Sequence, residues 1–177
     1  MVEQQAVWLV MGVSGSGKTS VAGALAEATG GVWLDADDYH PRRNIERMTQ
    51  GQPLSDEDRW PWLAAVAEAA SRARGAVQAP VFMACSALKA SYRRLLRERL
   101  PGLHTLYLEG DETLIFDRMS RRDNHYMGAG MLHSQFLDLE PPQAEADVFV
   151  VDIRADRAAV VAEALRCVHE QRGAVTR

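Results

Sequence analysis

Residues Ala6–Thr19 read AVWLVMGVSGSGKT, and this stretch decides the fold. Ala6–Met11 is a short unbroken apolar run, the pattern of a strand buried on both faces of a parallel sheet. It stops at Gly12, where Gly12-Val13-Ser14-Gly15-Ser16-Gly17-Lys18-Thr19 satisfies G-x-x-x-x-G-K-[ST] in full. Lys18–Ala28 continues as a helix with Val21, Leu25 and Ala28 on one face. A strand before the glycines and a helix after them is the context that makes this motif a phosphate loop. The glycines let the backbone curl until successive N–H groups point inward, and the helix adds its positive N-terminal end. Gly12 through Thr19 are therefore expected to hold ATP, with Lys18 acting on the β- and γ-phosphates and the Thr19 hydroxyl on Mg²⁺.

Working outward, strands and helices alternate. Val32–Leu34 reads as a second strand ending at Asp35, Pro41–Gln50 as a helix, and Ser55-Asp56-Glu57-Asp58 as a capping box opening a helix to about Arg74. Strands are expected at Val77–Ala84, Leu103–Leu108 and Val148–Asp152, with helices at Leu88–Leu100, Asp111–Arg121, Met131–Leu139 and Arg157–Gln171. The polar segment Arg122–Gly130 reads as a loop. The fold class is α/β: a three-layer P-loop NTPase fold, a five-stranded parallel sheet with helices on both faces, in one domain over residues 1–177 with a mobile lid at about 118–130. Chemistry is then expected in the loops at the carboxyl ends of the strands, 12–17, 35–40, 85–89, 109–112 and 152–156.

Composition narrows the function classes. At 177 residues, 47% hydrophobic and 25% charged, the chain is an ordinary globular domain. A formal net charge of −4 argues against a nucleic-acid binder or a membrane-surface binder. No apolar run approaches the ~20 residues of a membrane span, and the N-terminus lacks the basic region of a signal peptide. Cys85 and Cys167 have no metal-ligand spacing and read as buried free thiols in a reducing cytoplasm. Of the 20 basic residues only Lys18 and Lys89 are lysines.

Asp35-Ala36-Asp37-Asp38-Tyr39-His40 places three carboxylates beyond the second strand, a cluster that makes sense beside a cation and a phosphate acceptor. If the segment is extended, Asp35 and Asp37 share a face, with Asp37 as general base and Asp35 on the metal side. His40 is either a ligand group or a local hydrogen-bonding residue. Arg43 and Arg47, at i and i+4, suit a carboxylate or phosphate, or else form a solvated face paired with Glu46 and the acidic 55–58 segment. Lys89 and Arg93 repeat that spacing after the third strand. Arg118, Arg121, Arg122 and His125 bracket the loop expected to close over the transferring phosphoryl group and exclude water.

These residues carry a resemblance. The chain resembles the gluconokinases, small P-loop carbohydrate kinases similar in fold to nucleoside monophosphate and shikimate kinases. The matching segments are Gly12–Thr19, Asp35–Met48 (DADDYHPRRNIERM), Gly51–Asp58 (GQPLSDED), Asp58–Leu63 (DRWPWL), Cys85–Arg93 (CSALKASYR), His125 with Tyr126, Ser134–Pro141 (SQFLDLEP) and Val150–Ile153. The resemblance implies ATP-dependent phosphorylation of D-gluconate to 6-phospho-D-gluconate by a cytoplasmic homodimer. It implies Asp37 as base for the 6-hydroxyl, an acceptor pocket of His40, Arg43, Arg47, Lys89, Arg93 and His125, and Arg121 and Arg122 as catalytic lid cations. Two positions depart from the family pattern: Ala36 stands between the aspartates and Asn124 before His125, where glycine is commoner.

Overall fold

In a computed structural model, which describes residues 5–121 and 129–175, all five expected strands join one parallel sheet. They are β1 (Val7–Met11), β2 (Val32–Asp35), β3 (Val81–Ala84), β4 (His104–Glu109) and β5 (Val148–Asp152), in the order β2-β3-β1-β4-β5. β1 lies at the centre, with Val7 opposite Val81 of β3 and Trp8 opposite His104 of β4. The chain leaves β1 towards β2 on one side and later returns to β4 on the other. The loop after β1 therefore sits at the switch in strand order, where open parallel sheets bind their ligands.

The helices are α1 (Lys18–Thr29), α2 (Arg42–Thr49), α3 (Asp56–Ala76), α4 (Ala90–Arg99), α5 (Glu112–Ser120), α6 (Ala129–Asp138) and α7 (Arg157–Val175). Period-two alternation along the strands builds the layers. Trp8, Val10, Phe82, Ala84, Leu106 and Leu108 point to one face and pack on Val21 and Leu25 of α1, Ile115 of α5, Leu132 of α6 and Val168 of α7. Val7, Leu9, Met11, Val81, Met83 and Tyr107 point to the other and pack on Leu63 and Val66 of α3 and Leu96 of α4. Both faces are thus dry, which explains why the strands read as continuous apolar runs. Truncating a side chain such as fully buried Phe82 to alanine costs about 3–5 kcal/mol.

The third strand begins later than its sequence suggests, at Val81 and not Val77. α3 runs on to Ala76, with the Val77 N–H still donating to Ala73 O. Pro80 then lacks the N–H a central strand needs, although its carbonyl accepts from Val32 N at 3.0 Å. Arg118, expected in the lid, lies within α5 and donates to the carbonyls of Arg154 and Ala155 at 3.3 and 3.0 Å. It is therefore a brace between α5 and the loop after β5. Residues 119–120 of the expected lid also belong to α5, Arg121 ends that helix and 129–130 open α6; residues 122–128, with Arg122 and His125, lie outside the described residues. Among the described residues, no helix is long and apolar enough to cross a membrane.

Candidate active site

The loop after β1 has the shape its sequence requires. Gly15 and Gly17 have φ of 81° and 97°, a region costly for side-chain-bearing residues. A Cβ on Gly12 would meet Ser16 Oγ at 2.5 Å and Leu108 O at 3.1 Å, so the first turn admits only glycine. Lys18 Nζ donates across the loop to Val13 O at 3.0 Å. Burial lowers the Lys18 pKa from its usual 10.5, while the nearby Asp37 and Asp35 carboxylates oppose that shift. A half-buried ammonium with spare donors calls for an anion to replace its lost hydration. The cradle and this cation therefore fit the phosphates of a nucleotide. One loop group is held from outside: Ser14 N donates to Gln135 Oε1 of α6 at 2.8 Å, and Gln135 Nε2 donates to Ser14 Oγ at 2.9 Å.

Of the conformations open to the acidic segment, the extended one is not adopted. Ala36–Tyr39 forms a 3₁₀ turn because the Asp35 side chain caps it, accepting from Asp37 N at 2.9 Å. The same carboxylate accepts from Thr19 Oγ1 at 2.8 Å, so the two residues expected on the metal side lie together. Among the described residues, no group of three His, Cys, Asp or Glu could cage a metal ion. A lone hydroxyl with a neighbouring carboxylate fits Mg²⁺, which keeps waters and takes its other ligands from phosphate. Ala36 needs no positive φ; it is buried, and its carbonyl accepts from Trp62 Nε1 at 2.7 Å. Asp37 Oδ1 lies 3.9 Å from His40 Nε2, and much of its side chain is open to solvent. Desolvation by the surrounding chain, with the neighbouring Asp35 charge, raises its pKa above the ordinary 3.8. That shift suits a proton acceptor, since it makes the carboxylate more basic.

Arg43 and Arg47 share a face of α2, as their spacing predicts. Arg43 Nη2 lies 2.6 Å from Asp58 Oδ1 and Arg47 Nη1 3.5 Å from Asp58 Oδ2. Asp58 also closes the capping box of α3, with Ser55 N and Oγ donating to it and its own N–H bonded to Ser55 Oγ. The Ser55 backbone N–H, followed by the Ser55 hydroxyl and the arginines, holds the Asp58 pKa down to about 2. Asp58 is buried while Arg43 remains 71% exposed and Arg47 38%, so the guanidiniums keep donors facing outward. Lys89, beyond β3, donates to Asp56 Oδ1 at 3.0 Å, and Tyr92 Oη donates to the same atom at 2.5 Å. The Asp56 bond raises the Lys89 pKa, which keeps it a cation.

Arg93 is not an exposed partner of Lys89. It is 0% exposed, and its five N–H groups are all taken within the chain. Nε and Nη2 bind Glu145, Nη2 also binds Glu140 O at 2.8 Å, and Nη1 binds Ala87 O and Leu88 O at 2.8 and 2.9 Å. The helical spacing was right, but the i+4 position turns inward from the N-terminus of α4. Ala87, with φ of 43°, bends the loop so that its carbonyl meets the guanidinium. Cys85 is likewise no nucleophile, because burial pushes its thiol pKa up to about 12. Arg121 caps the end of α5 and is exposed. Sequence reasoning missed Asn44, Asp58 and Gln135. All three lie in segments that carry the resemblance, and the capping-box spacing from Ser55 pointed at Asp58 without its arginine partners.

The fold and this site define a P-loop kinase. A family profile described as "AAA domain" matches residues 7–137. The "Thermoresistant gluconokinase" of Escherichia coli (strain K12) is 44% identical over 163 residues, covering 92% of this chain and 93% of that protein. The "Gluconokinase" of Gluconobacter oxydans (strain 621H) is 40% identical over 162 residues, covering 89% and 88%. A crystal structure of a gluconokinase from Sinorhizobium meliloti 1021 superposes with a TM-score of 0.88 at 42% identity, covering 98% of this chain and 97% of that one. The chain belongs to the gluconokinase family.

Proposed function

We propose that the protein transfers the γ-phosphoryl group of ATP to the 6-hydroxyl of D-gluconate, giving ADP and 6-phospho-D-gluconate. The observation that carries this reading is the grouping of three features beyond the carboxyl ends of β1 and β2. They are a phosphate cradle with half-buried Lys18, the Asp37 carboxylate after β2, and two outward-facing arginines fixed by Asp58. Identity to named gluconokinases supplies the choice of acceptor.

The loop N–H groups and the α1 N-terminus hold the β- and γ-phosphates, and Lys18 draws charge from the γ-phosphoryl as it leaves ADP. Thr19 and Asp35 are the residues that would hold Mg²⁺, which would offset the charge of the phosphates. Asp37 takes the proton of the attacking hydroxyl as its oxygen bonds to phosphorus and the bond to ADP breaks. Arg43, Arg47 and Lys89 offer cations to the gluconate carboxylate, and His40 lines the same end. Arg121, at the end of α5, and its sequence neighbour Arg122 are the proposed cations for the transferring phosphoryl group, and His125 is a proposed acceptor-binding residue; Arg122 and His125 lie outside the described residues. We also infer a cytoplasmic homodimer; the two buried free cysteines, Cys85 and Cys167, are consistent with a reducing compartment.

The test is ADP release and phosphorylated product measured across an acceptor panel of gluconate, shikimate, adenylylsulfate and nucleoside monophosphates. Turnover with gluconate well above the others is expected. Turnover with another acceptor and none with gluconate overturns the reading, and nucleotide binding without any acceptor-dependent turnover assigns a non-enzymatic role.

A further inference from the structure

We propose that Asn44 is a positioning residue that fixes His40 in its Nε2–H tautomer, so that an N–H donor, and not a lone pair, faces Asp37. The proposal deepens the reading of Asp37 as the base and rests on it. Asn44 is 2% exposed in the first turns of α2, although every neighbour on that helix is polar or exposed. Its Nδ2 lies 2.9 Å from the backbone carbonyl of Asp58 and 3.3 Å from His40 Nδ1. A carbonyl only accepts, so the Asn44 atom facing it must be the nitrogen, and this fixes the amide orientation without reference to the histidine. The second hydrogen on that nitrogen then points at His40 Nδ1, which must accept it.

A neutral imidazole that accepts at Nδ1 carries its proton on Nε2. The ring is kept neutral: burial lowers its pKa, and Arg59 on α3 opposes a second positive charge, against the attraction of Asp37. The ring also stacks on Trp62 at 4.2 Å and 14°, which holds it in plane. The other tautomer would set two donors against each other at Asn44 and a lone pair against the Asp37 carboxylate. His40 Nε2 lies 3.9 Å from Asp37 Oδ1, longer than a direct hydrogen bond but close enough for the N–H dipole to act on the carboxylate. The N–H dipole pointing at one carboxylate oxygen leaves the other to receive the acceptor's proton. His40 thereby turns an N–H dipole towards the base and is not a second base. The buried carbonyl of Asp58 reaches the reacting centre through Asn44 and His40 in turn.

The direct measurement is a long-range ¹H–¹⁵N correlation spectrum of the uniformly ¹⁵N-labelled full chain at pH 7.5. His40 is assigned by difference from His40→Gln. A protonated Nε2 with a bare Nδ1 is expected; a protonated Nδ1 overturns the proposal with no variant of Asn44 required. Asn44→Asp replaces the donor by an acceptor and is expected to move the proton to Nδ1. With gluconate, kcat should then fall about tenfold or more, within the range lost when an orienting partner is removed, while the KM for ATP stays unchanged. A tautomer that moves with no fall in kcat overturns the orienting role. Asn44→Leu, which removes the donor without adding charge, should give a mixture of tautomers and an intermediate kcat. A wild type that shows the Nε2–H signature but does not phosphorylate gluconate sinks the proposed activity and leaves the tautomer assignment standing.

Discussion

Two cations show how far a single residue could be read. Lys18 was legible because the phosphate-loop pattern fixes its place in the chain and its partners are backbone groups. Lys18→Ala should lower kcat about 10²–10³-fold, the scale of removing one preorganised transition-state contact. Its unfolding curve should stay close to wild type, and steady-state assays with denaturant titration check both. Arg93 was not legible, because no spacing rule states whether an i+4 arginine faces a ligand or the core. Only the folded chain brings Ala87, Leu88, Glu140 and Glu145 to its five donors. Arg93→Met is therefore expected to cost about 3 kcal/mol or more in urea unfolding, the scale of breaking a buried charged pair. A stable variant with a raised KM for gluconate would instead return Arg93 to the acceptor pocket.

At the scale of elements, helix starts are legible to within about two residues and strand starts to within about one, except β3, which Val77–Pro80 precede. The Ser55–Asp58 capping box gave the start of α3, since its spacing is local. Whether the segment after β2 is extended or turned stays open in the sequence, because Asp35 capping its own loop is one of two outcomes that an Asp-Ala-Asp-Asp sequence permits. Asp58 joins two elements, capping α3 with one set of bonds and clamping the arginines of α2 with another. Asp58→Asn keeps the shape but loses the charge that fixes both guanidiniums. Its expected signature is a raised KM for gluconate, about 10–100-fold as for an orienting partner elsewhere, with the KM for ATP little changed. Equal weakening of both substrates would mean that the clamp serves the fold alone.

The whole molecule divides at its sheet, with α1 and its phosphate loop on one face and α3 and α4 on the other. This division was visible in the strand–helix alternation. Strand order was not, because all five strands read as similar apolar runs and order is settled by long-range packing. Far from the chemistry, at the amino ends of β1 and β4, His104 lies among Trp8, Phe149 and Asp147. Burial lowers its pKa from 6.5, and Asp147 only partly offsets this. The folded state thus binds fewer protons there than the unfolded chain, so stability falls as pH drops through and below about 6.5. His104→Phe should flatten that loss, as read from urea midpoints at pH 7.5 and 5.5; an unchanged acid sensitivity would place its origin elsewhere.

One helix crosses this division. Near its end α6 grips the phosphate loop through Gln135 and Ser14, and just beyond it Glu140 accepts from Ala90 N and donates to Leu88 O in the acceptor loop. The two grips are separated by less than two helical turns, so the length of this segment sets the gap between donor and acceptor loops. One residue inserted between Phe136 and Leu139 would rotate one grip about 100° against the other. An equal insertion at the exposed turn Gln50–Gln52 would meet no such constraint. Chain-length variation should therefore be barred from the 136–139 segment and tolerated at 50–52, a constraint on insertions and deletions that no single side chain imposes.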